Sequence, residues 1–135
     1  MSPYYLAERP KIKPEYQIVK HCGADYPEDM TTGILKLFSA LEDGAQYSTG
    51  GQLSGCTTLF VISRKGIYAA HFFENVSFDA DSEWLESSKT GTNEEIFQIT
   101  VIDILTNGGN YQPKLDASLI EDDYVKAYLL RPAEA

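Results

Sequence analysis

Residues 53–74 read LSGCTTLFVISRKGIYAAHFFE, and this stretch decides the fold. It contains two apolar runs, residues 56–62 and 67–73, separated by the sequence Ser-Arg-Lys-Gly, which is typical of a tight turn. The pattern predicts a β-hairpin. Because both runs carry apolar residues on both faces, the two strands are expected in the centre of a sheet that is covered on each side.

A cysteine and a histidine give this hairpin its chemistry. Cys56 opens the first strand, and His71 lies near the end of the second. A thiol beside an imidazole is the minimum equipment for nucleophilic catalysis, because the base takes the thiol proton and the thiolate attacks a carbonyl or carboxamide carbon. The alternative is that both residues fill space in a buried sheet, as cysteines often do.

The register of the hairpin determines whether these two side chains meet. If Ile62 pairs with Ile67, Cys56 and His71 share one face as diagonal neighbours. If a three-residue loop with a glycine bulge pairs Ile62 with Tyr68, His71 points to the other face and the pair is lost. The turn sequence is compatible with both registers.

The residues before Cys56 offer the other groups that such a site needs. Backbone N–H groups at Ser54 and Gly55 are placed to stabilise an oxyanion near the sulfur. The imidazole also needs an orienting group. The candidates for this role are Ser48, Thr49, a carbonyl of the glycine-rich loop and Glu74.

The same residues resemble a known active site. Gly55-Cys56, an apolar strand, a short turn and a second strand ending in Ala70-His71-Phe72 are similar to the hairpin of the cysteine-histidine glutamine deamidases. That group includes the catalytic domain of the cytotoxic necrotizing factor toxins and the chemotaxis receptor deamidases. The resemblance covers about twenty residues of the chain.

This resemblance implies both a fold and an activity. The fold is α+β, with a central, mostly antiparallel β-sandwich flanked by two main helices. The activity is deamidation of a protein glutamine through a thioester intermediate, with Cys56 as nucleophile and His71 as base. Neither a cofactor nor a metal is needed. Thr49 falls at or beside the position of the threonine that orients the histidine in the chemotaxis group.

The remaining elements follow from apolar spacing. Helices are predicted over residues 29–43 and residues 93–106, the second capped by Thr92 or Asn93. A short helix is predicted over residues 82–87, and residues 124–130 form a closing strand or short helix.

Length and charge limit the possible domain organisation and the possible binding partners. Residues 15–135 are predicted to form a single globular domain behind an extended, proline-containing arm, residues 1–14. The 20 acidic residues against 11 Lys and Arg give a formal net charge of -9, which repels nucleic acid and anionic membrane. We therefore expect a protein substrate or partner. We find no signal peptide or transmembrane pattern and expect a cytoplasmic location, with secretion by another route and the oligomeric state left open.

Other functions fit the same residues. A thiol hydrolase or a transglutaminase-like acyl transferase would use the same Cys-His pair. A non-catalytic interaction module of the same fold would engage a basic partner through its acidic surface and its tyrosine-containing N-terminal arm. A zinc site has enough ligands but lacks any usual zinc spacing, and its four members would be His21, Cys22, Cys56 and His71.

Overall fold

The computed structural model describes residue 18 and residues 24–41 and 55–131. The predicted arm, residues 1–14, and the glycine-rich loop up to residue 54 lie outside this part of the chain. Within it the chain forms one antiparallel sheet of four strands together with short helices. The fold class is therefore α+β, as predicted.

The hairpin forms the centre of the sheet. The strands are β1 (Thr32–Leu37), β2 (Thr57–Ile62), β3 (Gly66–Phe72) and β4 (Lys126–Leu130), in the order β1-β3-β2-β4. The strands β2 and β3 are the two predicted apolar runs, so the predicted hairpin is confirmed. The closing segment, predicted as a strand or a short helix, is strand β4.

Helical structure lies mainly between β3 and β4 along the chain. A π-helical turn (Glu74–Phe78) follows β3, and the predicted short helix is confirmed as α1 (Ser82–Ser87). The longest run joins α2 (Asn93–Phe97), a π-helical turn (Gln98–Ile102) and α3 (Asp103–Asn107) without a break in helical backbone. We call this run the 93–107 helix. A last helix, α4 (Ala117–Ile120), precedes β4.

Local sequence explains the ends of the 93–107 helix. The Thr92 hydroxyl accepts a hydrogen bond from the Glu95 N–H at 3.2 Å, which caps the first turn as predicted. At the other end Gly108 has a φ of +81°, and its N–H donates to the Ile104 carbonyl at 2.8 Å. This left-handed backbone is easiest for glycine, which explains why the helix stops there.

The helix predicted over residues 29–43 is wrong. A 3₁₀ turn (Pro27–Met30) leads into β1, and another (Phe38–Ala40) follows it. The apolar residues of this segment occur as neighbouring pairs, which fit a helical stripe and a strand equally well. Tertiary pairing decides the outcome, because all of β1 pairs with β3. Within residues 24–41 and 55–131 the sheet is thus flanked by one main helix and not by two.

The two faces of the sheet differ. The helix face carries Tyr68, Ala70 and Phe72, which are buried and pack in one apolar cluster with Val101 and Ile120. The opposite face, which we call the histidine face, carries Ala69 and His71 from the same strand, and both are fully buried. Burial on both faces agrees with the doubly apolar sequence of the hairpin.

The wider expectations are met only in part. The sheet described above is the one sheet formed by residues 24–41 and 55–131, so the predicted second layer of a sandwich is not among the described elements. The helices of these same ranges are too short or too polar to cross a bilayer.

Candidate functional site

The turn between β2 and β3 fixes the register on which the Cys-His pair depends. The Ser63 N–H donates to the Gly66 carbonyl at 3.0 Å, so the loop consists of Arg64 and Lys65 alone. The Ser63 hydroxyl accepts a hydrogen bond from the Lys65 N–H at 3.0 Å, which tightens the turn. A side chain at Gly66 would collide with the Lys36 carbonyl oxygen on β1. The turn is therefore tight and free of a bulge.

The observed register places Cys56 and His71 on the same face. Ile62 pairs with Ile67, and further along the hairpin Thr58 pairs with His71. Extending this pairing beyond the start of β2 puts Cys56 diagonally across from His71. Diagonal neighbours of an antiparallel pair lie about 7–8 Å apart, within reach of long side chains. Of the two registers open to the sequence, the chain adopts the one compatible with a Cys-His pair.

Two threonines flank the histidine in one row across the sheet. Thr32 on β1 and Thr58 on β2 both pair with His71, and all three are no more than 1% exposed. The Thr32 hydroxyl donates to the Ile18 carbonyl, so that residue packs beside this row. The ring of His71 contacts the edge of Phe73, with centroids 4.6 Å apart and planes at 84°. The imidazole is thus held in a tightly enclosed position.

The hydroxyl of Thr58 differs from that of Thr32, which has the Ile18 carbonyl as its partner. It is buried, and its oxygen has no hydrogen-bond partner among the described residues. Burying a hydroxyl without a partner destabilises the folded state. Packing alone does not explain why a hydroxyl without a partner is buried directly opposite the candidate base.

Cys56 lies at the edge of the enclosed region. It is half-buried and carries a reduced thiol. Gly55 before it has a φ of +79°, which turns the chain into β2. A Cβ at Gly55 would lie 3.0 Å from the Glu74 carboxylate. Glu74 is exposed, so an acidic group stands at the entrance to the site, directly beside the residue that precedes the thiol.

A cleft opens on the helix face at this same end of the sheet. It has a volume of about 620 Å³ and lies between the sheet and the 93–107 helix. Its walls are mostly apolar, and its polar groups lie near the ends. The residues that line it are Gly55, Thr57, Leu59, Phe72, Glu74, Phe78, Phe97, Val101, Leu105, Leu129 and Arg131. Gly55 and Thr57 are the two neighbours of Cys56 in the chain, but the cleft lies on the helix face, whereas the Cys56 and His71 side chains lie on the histidine face.

Several predicted site residues cannot be placed. Thr49 and Ser54, together with Ser48, lie outside the described residues. His21 and Cys22, considered above as zinc ligands, lie outside them as well. Within the described ranges there is no group of three or more side chains suited to hold a metal ion.

The structure adds residues that the sequence did not single out. Thr32 was missed because its segment was predicted as a helix, and Thr58 could have been found, since it lies two residues after Cys56 on the same face. The aromatic walls of the cleft, Phe78 and Phe97, come from different elements, and nothing in the sequence indicated that they meet. No protein-family model, curated protein or solved structure matches this chain, so its own residues carry the functional argument.

Proposed function

We propose that this chain is a Cys-His amidohydrolase that deamidates a glutamine side chain of a protein substrate. The observation that carries the proposal is the register of the hairpin, which puts Cys56 and His71 on one face. A slip by one residue would have sent the imidazole to the opposite face. The resemblance of residues 54–73 to the glutamine deamidases supports the same assignment of nucleophile and base.

The proposed reaction uses the thiol and the imidazole in two steps. His71 takes the proton of Cys56, and the thiolate attacks the carboxamide carbon of the glutamine. The C–N bond then breaks as His71 returns the proton to nitrogen, and ammonia leaves. Water attacks the resulting thioester and gives a proton to His71. The C–S bond breaks, the thiol is restored, and the substrate now carries a glutamate.

The surroundings of the pair suit this chemistry. Burial of His71 holds the ring in one orientation. A half-buried thiol at the edge of this region remains within reach of a substrate.

The proposal extends to the fold. Ala69 and His71 are buried on the face opposite the 93–107 helix, so this face also needs a covering layer. We propose that the covering layer completes the β-sandwich that the resemblance to the deamidases implies.

Alkylation of Cys56 tests the assignment of the base. The chain has two cysteines, so the experiment uses a Cys22→Ser background in which Cys56 is the sole thiol. If His71 activates this thiol, reaction with iodoacetamide at neutral pH is expected to be about tenfold faster than in His71→Gln. The rate is measured against pH by mass spectrometry of the intact protein, with circular dichroism as a check on folding.

A matched variant separates loss of the base from general loosening of the histidine face. Phe60 lies on this face of β2, and Phe60→Leu changes packing there while keeping both reacting groups. Its alkylation rate is expected to match that of the Cys22→Ser parent. Equal rates in the parent and in folded His71→Gln would contradict the proposal.

A second assay distinguishes hydrolysis from acyl transfer. Both reactions form the same thioester and differ in whether water or an amine attacks it. With a glutamine-containing peptide and a primary amine present, the amidohydrolase releases ammonia and leaves a glutamate, whereas an acyl transferase attaches the amine. Mass spectrometry of the peptide reads both outcomes. Amine attachment in excess of hydrolysis would replace deamidation by acyl transfer as the function.

A further inference from the structure

Strand β4 forms an open edge of the sheet. Within the described ranges it pairs with β2 and with no other strand. All five of its residues are exposed, and Tyr128, Leu129 and Leu130 are 48%, 60% and 50% accessible. A run of exposed apolar side chains on an unpaired edge is a template for another strand.

The opposite edge of the sheet, formed by β1, is partly covered. On β1, the Gly33 N–H donates to the Tyr111 carbonyl at 3.1 Å, so a loop covers part of that edge. The β4 edge has no such cover among the described residues, and it lacks the proline or the inward-pointing charges that commonly protect an edge. The single charge within β4 is Lys126, at its first position.

We propose that β4 pairs antiparallel with β4 of a second copy of this chain, around a two-fold axis at Tyr128. Tyr128 is the middle residue of the strand, so this register pairs all five residues: Lys126 with Leu130, and Ala127 with Leu129. Any other two-fold register leaves some of them unpaired. The proposal does not depend on the proposed enzymatic function.

Charge complementarity favours a second copy as the occupant of this edge. The acidic run Glu121–Asp123 lies shortly before β4, and Arg131 directly follows the strand. In the proposed register Arg131 lies opposite Val125 of the second copy, two residues from that copy's Asp123. The two-fold axis repeats this contact at the other end of the strand, so each copy supplies both halves of a complementary pair.

The second copy also covers the most exposed apolar side chain of the edge. Leu129 lies on the helix face at the mouth of the cleft, and its direct partner in the proposed register is Ala127 of the second copy. Because the β1 edge is partly covered by its own loop, pairing through β4 closes at two copies and does not continue into a filament.

The size of the contact sets the strength that we expect. Two strands of five residues bury less than the ~1,600 Å² of a standard stable interface. A dissociation constant on the order of 10–100 μM is therefore expected. Sedimentation velocity over a concentration series that spans this range should show a monomer converting to a dimer, without larger species.

Charge substitutions at the proposed axis give the decisive experiment. In Tyr128→Asp two carboxylates would face each other, and in Tyr128→Lys two ammonium groups would, so each variant alone should dimerise about tenfold more weakly. An equimolar mixture of the two should associate within about threefold of the original chain. Rescue by the mixture is specific to a register that places residue 128 against itself.

A variant on another exposed apolar residue provides the control. Ile102 lies on the 93–107 helix and is 41% exposed, so Ile102→Asp adds one charge without altering the edge. Its dimerisation should match that of the original chain. A chain that stays monomeric up to several times the expected dissociation constant, or a mixture that associates no better than its parts, would overturn the proposal.

Discussion

The two faces of the central sheet differ in the polarity of the side chains that they bury. On the helix face, Tyr68, Ala70 and Phe72 pack against apolar side chains of the 93–107 helix and α4. On the histidine face, the same strand presents His71 between two threonines, all fully buried. One strand therefore serves an apolar core on one side and a polar row on the other.

Because of this difference, we expect one face to contribute mainly to stability and the other mainly to chemistry. Burying apolar area stabilises a fold roughly in proportion to that area, whereas a buried hydroxyl or imidazole stabilises it only when its hydrogen bonds are made. Residues that break the rules of a good core are expected at functional sites, where stability is given up for reactivity. The helix face should accordingly determine whether the chain folds, and the histidine face what it does.

The largest expected effect comes from deleting an aromatic ring on the helix face. Phe72 is 2% exposed, and Phe72→Ala should lower the free energy of unfolding by about 3–5 kcal/mol through lost burial and the cavity left behind. Urea titration followed by circular dichroism measures it. Phe60 is the matched residue on the histidine face, and because it is only half-buried, Phe60→Ala should lose clearly less. Equal losses would remove the distinction between the two faces.

A smaller effect is expected from a buried hydroxyl of the helix face whose hydrogen bonds are made. The Tyr68 hydroxyl donates to the Pro113 carbonyl at 2.7 Å and accepts from the Gln112 side chain at 2.8 Å. Tyr68→Phe keeps the ring but leaves the buried Gln112 side chain and the half-buried Pro113 carbonyl without this partner. The expected loss is about 1–3 kcal/mol of unfolding free energy, measured by the same urea titration. A loss near zero would mean that water replaces the hydroxyl.

The pH dependence of this contribution has a definite sign. Burial raises the pKa of Tyr68 from 10.0 to about 12. The unfolded chain therefore releases this proton first, and above pH 10 ionisation favours unfolding. The stabilising contribution of Tyr68 is complete below pH 10 and is lost as the pH rises towards 12. The difference between the original chain and Tyr68→Phe should shrink over that window, since the other tyrosines cancel in the subtraction.

The hairpin and the segment before it show which parts of this architecture the sequence could predict. In residues 56–73 the apolar runs, the turn and the strand lengths all indicate one hairpin, and the structure confirms it. These contacts are local, so the relevant information lies within one stretch of chain. The sequence did not decide between the two possible registers of the hairpin, because the turn sequence fits both. The observed register has a two-residue loop closed by the Ser63 N–H, which donates to the Gly66 carbonyl.

Residues 29–43 show where local reasoning ends. Paired apolar residues satisfy two periodicities at once, and the choice was made by pairing with strand β3, whose partner residues are 29 to 39 positions further along the chain. That error also hid Thr32, which flanks His71 only because β1 is a strand. The Cys-His juxtaposition could thus be predicted as one of two alternatives, whereas the enclosing row and the aromatic cleft required the tertiary structure.

The smallest expected effect is an unchanged or slightly raised free energy of unfolding, in contrast to the losses predicted above. Thr58→Val replaces a buried hydroxyl, which has no partner among the described residues, by a methyl group of similar size. Removing an unpaired buried polar group relieves its desolvation, so the free energy of unfolding should stay constant or rise by up to about 1 kcal/mol. Thr58→Ser, which keeps the hydroxyl and deletes the methyl group, should instead destabilise the chain. Urea titrations of both variants measure the difference.

Together with Tyr68→Phe, this substitution deletes one buried hydroxyl from each face of the sheet. The loss should be clear on the helix face, where the hydroxyl has two partners, and absent beside His71. If Thr58→Val is as destabilising as Tyr68→Phe, the Thr58 hydroxyl makes a structural hydrogen bond and the histidine face is an ordinary core. If Thr58→Val is stable but slows alkylation of Cys56, this hydroxyl acts on His71 and belongs to the site, because a purely structural group would not alter the reactivity of the thiol.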